Sequence, residues 1–208
     1  MLELDHVTIT VAGRTLIRDL SATLTPGRVL GVMGASGSGK SSLLAWIAGT
    51  LEPPFVARGA LRLNGQDMAA LPIQQRRIGL LFQDDLLFPH MSVHDNLLFA
   101  LPGGARAARL QAADQALEEA GMRGFGARMP SSLSGGQRSR VSLLRALLAA
   151  PAALLLDEPF SKLDMALREQ MREFTFATLA ARQVPVLIVT HDEADVPAGA
   201  QLIRLIDA

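Results

Sequence analysis

Cysteine is absent from this chain and lysine nearly so: of 20 basic residues, only Lys40 and Lys162 are lysine. Without cysteine there is no disulfide framework, no thiolate chemistry and no cysteine-built metal site, which fits a reducing compartment. Net charge is absent as well. Basic and acidic side chains balance at 20 each, so there is no electrostatic footprint for nucleic acid or anionic lipid. Long hydrophobic runs are missing. Met1 to Asp5 has neither the basic start nor the apolar run of a signal peptide. The most apolar stretch, Val141 to Leu156, is broken by Arg145 and Pro151 and is too short to span a bilayer. These absences predict a soluble, cytosolic chain. Its 208 residues suit one large α/β domain with a smaller subdomain inserted. Mean hydropathy is +0.26, which either surface reserved for a partner or a large Ala/Leu-rich core would explain.

What is present alternates between strand and helix signals. Leu2 to Val11 alternates as a half-buried strand, and Ala60-Leu61-Arg62-Leu63 before Asn64-Gly65 reads as strand and turn. Val29 to Met33 is a short buried strand running into glycine, Ser41 to Ala48 is helical, and Ile78 to Phe82 is a further strand. From Asp84 to about Ala150 the signals are mainly helical, with Ala107, Leu110, Ala113, Leu117 and Ala120 near one face of a helix ending at Gly121. Ala153 to Leu156 and Val186 to Thr190 are buried strands around a helix from about Met165 to Arg182, and Leu202 to Ile206 closes the sheet. The pattern predicts a mostly parallel α/β core, roughly 1–83 and 151–208, interrupted by a helical insert over 84–150.

Two glycine-rich loops carry the chemistry. Gly34-Ala35-Ser36-Gly37-Ser38-Gly39-Lys40-Ser41 follows a strand and precedes a helix, the context that makes G-x-x-x-x-G-K-[ST] a nucleoside triphosphate loop. Its glycines let the backbone wrap phosphates, Lys40 reaches the β/γ oxygens, Ser41 binds Mg²⁺, and Ser42 stays near the α-phosphate. A scarce lysine kept at this point suits a compact ammonium rather than a planar guanidinium. Leu133-Ser134-Gly135-Gly136-Gln137, ahead of a helix-like run from Arg138 to Ala150, resembles a second phosphate loop without a lysine. It has no metal ligand and no base, so it reads as half of a site. The strand Leu154-Leu155-Leu156 ends in Asp157-Glu158. Strand C-termini face the ligand crevice in such sheets, where Asp157 can hold Mg²⁺ and Glu158 can polarise an attacking water. Gln83 and His191 also follow strands. Gln83 reaches the γ-phosphate or the Mg²⁺ shell from such a place, and His191 can hydrogen-bond the γ-phosphate. On spacing alone Gln83 is equally a loop glutamine, and a lone histidine after a strand is usually just polar surface.

The ordered set Gly34–Ser41, Gln83, Leu133–Gln137, Leu154–Glu158, Ser161-Lys162-Leu163-Asp164 and His191 resembles the nucleotide-binding subunits of ABC transporters along the whole chain. The resemblance implies a P-loop NTPase (RecA-like) core with a parallel sheet, an N-terminal antiparallel β subdomain and an inserted helical subdomain. It implies ATP and Mg²⁺ as cofactors, with Mg²⁺ held by Ser41, Gln83 and Asp157. It also implies a head-to-tail homodimer in which ATP on Lys40 of one copy is covered by Ser134, Gly135, Gly136 and Gln137 of the other. In that arrangement Glu158 is the base, His191 the linchpin, and Asp164 contacts the opposite subunit.

Finer similarity points to an importer. Pro159-Phe160-Ser161, and Gly79 to Asp84 leading into Leu86-Leu87-Phe88-Pro89-His90, are similar to the group serving thiamine, iron, sulfate or polyamine uptake. Phe82, Leu86, Leu87 and Phe88 make an apolar stretch where the family docks its permease, although at least two of the four are expected in the subdomain core. The expected setting is the cytoplasmic face of the inner membrane, with permease subunits and a solute-binding protein as partners and no nucleic acid. A chain ending at Ala208 is expected to lack the C-terminal regulatory domain of many such subunits. A soluble non-transport ABC ATPase and an exporter ATPase are the alternatives. The first usually carries two such domains or a long insert, and the Phe160 pattern argues against the second.

Three features depart from the family. The position that usually stacks adenine is Val11, and no aromatic residue precedes Trp46. This predicts looser base selectivity, with GTP supporting turnover at a rate comparable to ATP. Lys162 replaces a small residue, with no role assigned from sequence. The stretch Asp192 to Pro197 after His191 is shorter than the family's usual helix.

Overall fold

The computed structural model describes residues 1–205, so the expected strand end at Ile206 lies outside the described residues. The chain forms two compact units. One comprises Met1–Leu80, Ala152–Glu158 and the chain from Thr178 onward; the other comprises Leu81–Pro151 with Pro159–Ala177. The second unit thus takes in 159–177 in addition to the helical segment expected at 84–150.

The first unit holds two sheets. Strands β1 (Leu2–Val11), β2 (Arg14–Leu24), β4 (Phe55–Leu63) and β5 (Gln66–Asp67) form an antiparallel sheet of order β2-β1-β4-β5. β1 and β2 meet across a tight Ala12-Gly13 turn in which both residues have positive φ, the geometry that suits the twist of a hairpin. Strand β2 has no clean sequence signal. Register shifts against β1 between Leu4 and Val7, and again before Ile9, break its alternation, leaving Ile17, Leu20, Ala22 and Leu24 buried at uneven spacing.

The second sheet takes β3 (Val29–Met33), β6 (Ile78–Leu81), β7 (Ala153–Asp157), β8 (Val186–Thr190) and β9 (Gln201–Arg204) in the order β6-β7-β8-β3-β9. β3 pairs parallel with β8 and β9, and β7 parallel with β8. Leu154, Leu155 and Leu156 are all fully buried, as expected of a parallel strand covered on both faces. Helix α1 (Lys40–Ala48) packs Leu43, Leu44 and Ile47 into the same core. Its C-terminal carbonyls at Trp46 and Ile47 accept from the Arg76 guanidinium at 3.2 and 3.1 Å, a favourable place for a cation.

The second unit is helical: α2 (Val93–Ala100), α3 (Arg106–Glu119), α4 (Gly135–Leu148) and most of α5 (Met165–Ala181). Val93, Leu97, Leu117, Met122, Val141 and Leu144 form its core. The inner face of α3 differs from the expected stripe: Ala116 is buried and Ala107 is exposed. Helix α4 starts three residues earlier than its sequence suggested, so Gly135 and Gly136 form its first turn.

Candidate functional site

The phosphate loop connects the end of β3 to the start of α1. Gly39 takes φ 95° and caps α1 without any side-chain acceptor, so the first N–H groups of the helix stay available to an anion. A side chain at Gly39 would also meet Leu16 Cβ at 2.9 Å, and one at Gly34 would meet Ser38 Oγ at 2.4 Å. Lys40 is buried, its Nζ donating to Gly34 O at 2.7 Å and Ala35 O at 2.8 Å. The loop thus curls around its own ammonium. Ser38 Oγ is buried and has no hydrogen-bond partner among the described residues. An unpaired buried hydroxyl costs about 1–3 kcal/mol, and a phosphate oxygen is the acceptor that this cradle suits.

Adjacent strands bring the remaining groups of the first unit to the same place. Lys40, Ser41 and Ser42 line a hollow of about 690 Å³ together with Ser36, Gly37, Glu158 and His191. Glu158 sits just past β7 with φ 43°, its N–H donating to Val189 O at 3.0 Å. A left-handed non-glycine residue before a proline is strained by about 1–3 kcal/mol; the carboxylate it carries lies beside His191, whose Nδ1 is 3.4 Å from Glu158 Oε1. Burial pushes the Asp157 carboxyl above the ordinary carboxylate range, the Glu158 charge adds to this, and Lys40 opposes it. A half-buried acid pair beside a lysine and a phosphate loop is a cation-seeking arrangement.

The same hollow contains residues that the motifs did not indicate. Phe55 and Arg14 line it beside Val11 and Leu16. Phe55 is the direct cross-strand partner of Val11 in the β1–β4 ladder, and directly paired residues share a face with Cβ atoms about 4.5–5.5 Å apart. An aromatic ring is therefore present next to the position where sequence indicated only valine. No local pattern signals it, because the pairing register is a long-range property.

The second unit holds the other candidate residues. Ser134 caps α4: its Oγ accepts from Gln137 N–H at 3.4 Å while Gln137 Oε1 accepts from Ser134 N–H at 2.9 Å. This reciprocal box gives Gln137 a structural task and leaves Gly135 and Gly136 as the first-turn donors without an intrahelical carbonyl. The two glycines differ. A Cβ at Gly136 would sit 2.5 Å from Leu167 Cδ1, whereas one at Gly135 has only an arginine nitrogen at 3.9 Å. Asp164 Oδ1 accepts from Leu167 N–H at 3.0 Å, starting α5. Lys162 forms an ion pair with Asp84, giving it the partner that sequence did not supply.

Gln83 lines a separate hollow of about 600 Å³ with Leu86, Leu87, Arg138 and Lys162. Of the four apolar residues near it, Phe82 and Leu86 are exposed, while Leu87 packs on the helical core and Phe88 stacks edge-on against Phe99 at 4.9 Å. Asp85 anchors this segment to α4, accepting from Ser139 Oγ at 2.8 Å and Arg138 Nε at 3.3 Å, while its carbonyl accepts from Ser142 Oγ at 2.8 Å. No described helix is long and apolar enough to cross a membrane.

Residues 17–161 match the ABC transporter family. YnjD of Escherichia coli (strain K12), an uncharacterized ABC transporter ATP-binding protein, is 47% identical over 206 residues, covering 99% of this chain and 95% of that one. FbpC 2 of Pectobacterium atrosepticum, an Fe(3+) ions import ATP-binding protein, is 40% identical over 200 residues, covering 94% of this chain but 57% of its own length. Among solved structures, the dimeric post-hydrolysis state of the ATP-binding cassette MJ0796 bound to ADP and Pi superposes with TM-score 0.80 at 28% identity, covering 100% of this chain and 95% of that one. A phosphate cradle, an acid pair and a histidine at neighbouring strand ends agree with those likenesses: the chain belongs to the ABC transporter family, as an ATP-binding and ATP-hydrolysing domain.

Proposed function

We propose that this domain energises uptake of a small solute through a partner permease, as the ATP-hydrolysing subunit of an importer. The observation that carries the hydrolytic part is the Glu158–His191 pair at 3.4 Å beside the phosphate loop. Lys40 exchanges its loop carbonyls for β/γ-phosphate oxygens, and Ser38 and the first N–H groups of α1 complete the cradle. Glu158 accepts the proton of the attacking water, while His191 holds Glu158 and the γ-phosphate in one geometry. Ser41 and Asp157 offer the hard oxygen donors that Mg²⁺ favours; when bound, the ion would neutralise phosphate charge. Gln83 is the proposed third contributor to that shell.

The base is proposed to lie against Phe55. Ser134, Gly135 and Gly136 of a second copy are proposed to close over the γ-phosphate, so that two ATP molecules join two copies and hydrolysis releases them. The import names of relatives such as FbpC 2 support the importer reading; permease docking at the exposed Phe82 and Leu86, a cytoplasmic-face location and a solute-binding protein in the same system are proposed along with it. Glu158→Gln keeps the site's shape and removes the base. The expected result is an ATP-stabilised dimer with little turnover on gel filtration; hydrolysis at the wild-type rate would show that Glu158 is not the base.

A further inference from the structure

Asp195 is a buried acid that plays no part in the chemistry above. It is 2% exposed and ends the single 3₁₀ turn, Glu193–Asp195, that follows β8. Its Oδ2 accepts a 2.7 Å hydrogen bond from Thr190 Oγ1, and Thr190 is itself fully buried. The same Thr190 oxygen accepts from Asp192 N–H at 3.1 Å. Asp192 in turn accepts at its side chain from Ala194 N–H at 3.0 Å, and at its carbonyl from Asp195 N–H at 3.0 Å. Residues 190 and 192 are thus tied to one hydroxyl, and that hydroxyl is tied to a buried carboxylate. The residue they bracket is His191, whose side chain stays exposed and approaches Glu158.

Burying a carboxylate costs several kcal/mol unless its contacts compensate, so an acid is an expensive way merely to fill space. Where a helix would fix the histidine by its length, this segment has one 3₁₀ turn, held at its exposed side by the Glu193–Arg204 ion pair at 2.6 Å and at its buried side by the Asp195–Thr190 bond. We propose that Asp195 is a positioning residue for His191, acting through Thr190, and that the Asp195–Thr190 pair sets the distance between the imidazole and Glu158. This rests on the reading of Glu158 and His191 as the hydrolytic pair.

Three variants test it by steady-state ATPase kinetics and nucleotide titration. Asp195→Ala and the near-isosteric Thr190→Val are expected to lower kcat about tenfold or more, since a misplacement of about 1 Å can cost up to about 10²-fold. KM for ATP and the Kd of a non-hydrolysable analogue should stay within about twofold. Asp195→Asn keeps an acceptor for the Thr190 hydroxyl and should retain most of kcat. On a His191→Ala background, Thr190→Val should cost nothing further, because coupled residues are not additive. The proposal is overturned by unchanged kcat in Thr190→Val, by Asp195→Asn failing as badly as Asp195→Ala, or by a loss that persists in full without His191. If Asp195→Ala does not fold, Thr190→Val and Asp195→Asn decide by the same criteria. A wild-type chain that does not hydrolyse ATP would overturn the site reading itself, and this inference with it.

Discussion

Removing the Phe55 ring tests whether the cross-strand neighbour of Val11 carries the nucleobase. Base–aromatic stacking contributes about 1–3 kcal/mol, which at 1.4 kcal/mol per decade corresponds to a rise of roughly 5- to 150-fold in nucleotide Kd for Phe55→Ala. Phe55 is partly buried and packs on the first-unit core. Truncation therefore also costs stability, less than the roughly 3–5 kcal/mol of a fully buried phenylalanine. The assay titrates ATP, GTP and inorganic tripolyphosphate against wild type and variant, with a thermal melt to confirm folding at the assay temperature. Stacking is tolerant of base identity because every base has a π-face, so ATP and GTP should weaken in parallel while tripolyphosphate is unaffected. This shifts the grounds for expecting similar ATP and GTP turnover: the ring supplies affinity, and discrimination needs hydrogen bonds to the base edge. Equal weakening of tripolyphosphate would place the effect on the phosphate loop and refute the reasoning, as would unchanged ATP affinity.

Asp157→Asn should raise the melting temperature of the nucleotide-free, metal-free protein at pH 7. A carboxyl raised above its ordinary value near 3.8 makes the native state the stronger proton binder. Stability therefore falls as pH climbs from the unfolded value through the raised one, and the penalty persists above it. The gain should vanish in melts below about pH 4; a variant no more stable than wild type at pH 7 contradicts the assignment. Ser134→Ala removes a long cap and should cost roughly 0.5–1 kcal/mol in denaturant titration. Ser134→Arg should abolish the ATP-stabilised dimer of Glu158→Gln on gel filtration while leaving monomer nucleotide binding within about threefold; an intact dimer argues against closure over this loop. Gly136→Ala must displace Leu167 and should lose about 1–3 kcal/mol, whereas Gly135→Ala should melt close to wild type. Equal losses at the two positions would mean that packing does not distinguish them.

Much of the parallel sheet was legible because its signals are local. β3 runs into Gly34, β7 into Asp157 and β8 into His191, and each strand announces its end by the residue that follows it. The start of α4 was legible in principle, since Ser134-x-x-Gln137 is a capping box, but the glycines between suggested a turn. Strand β2 and the role of Phe55 were not readable. Both depend on register between strands distant in sequence, and the bulges opposite β2 erase its alternation. The Thr190–Asp195 bond escaped for a related reason: an aspartate near a strand end reads as surface until its burial is known.

The parallel sheet also governs when the site can exist. Val186 pairs with Val29 on one side and Leu154 on the other, so the central strand is made long after β3 and later than β7. Pairings between such distant segments form slowly, because loop closure must be paid before any contact repays it. On the ribosome, the phosphate loop near the N-terminus therefore waits for β8 to bring both its structural neighbour and His191. A nascent chain stopped before residue 186 carries the triphosphate motif intact yet lacks the strand against which β3 is ordered. Nucleotide competence is therefore set by the arrival of β8 and not by completion of the phosphate motif itself.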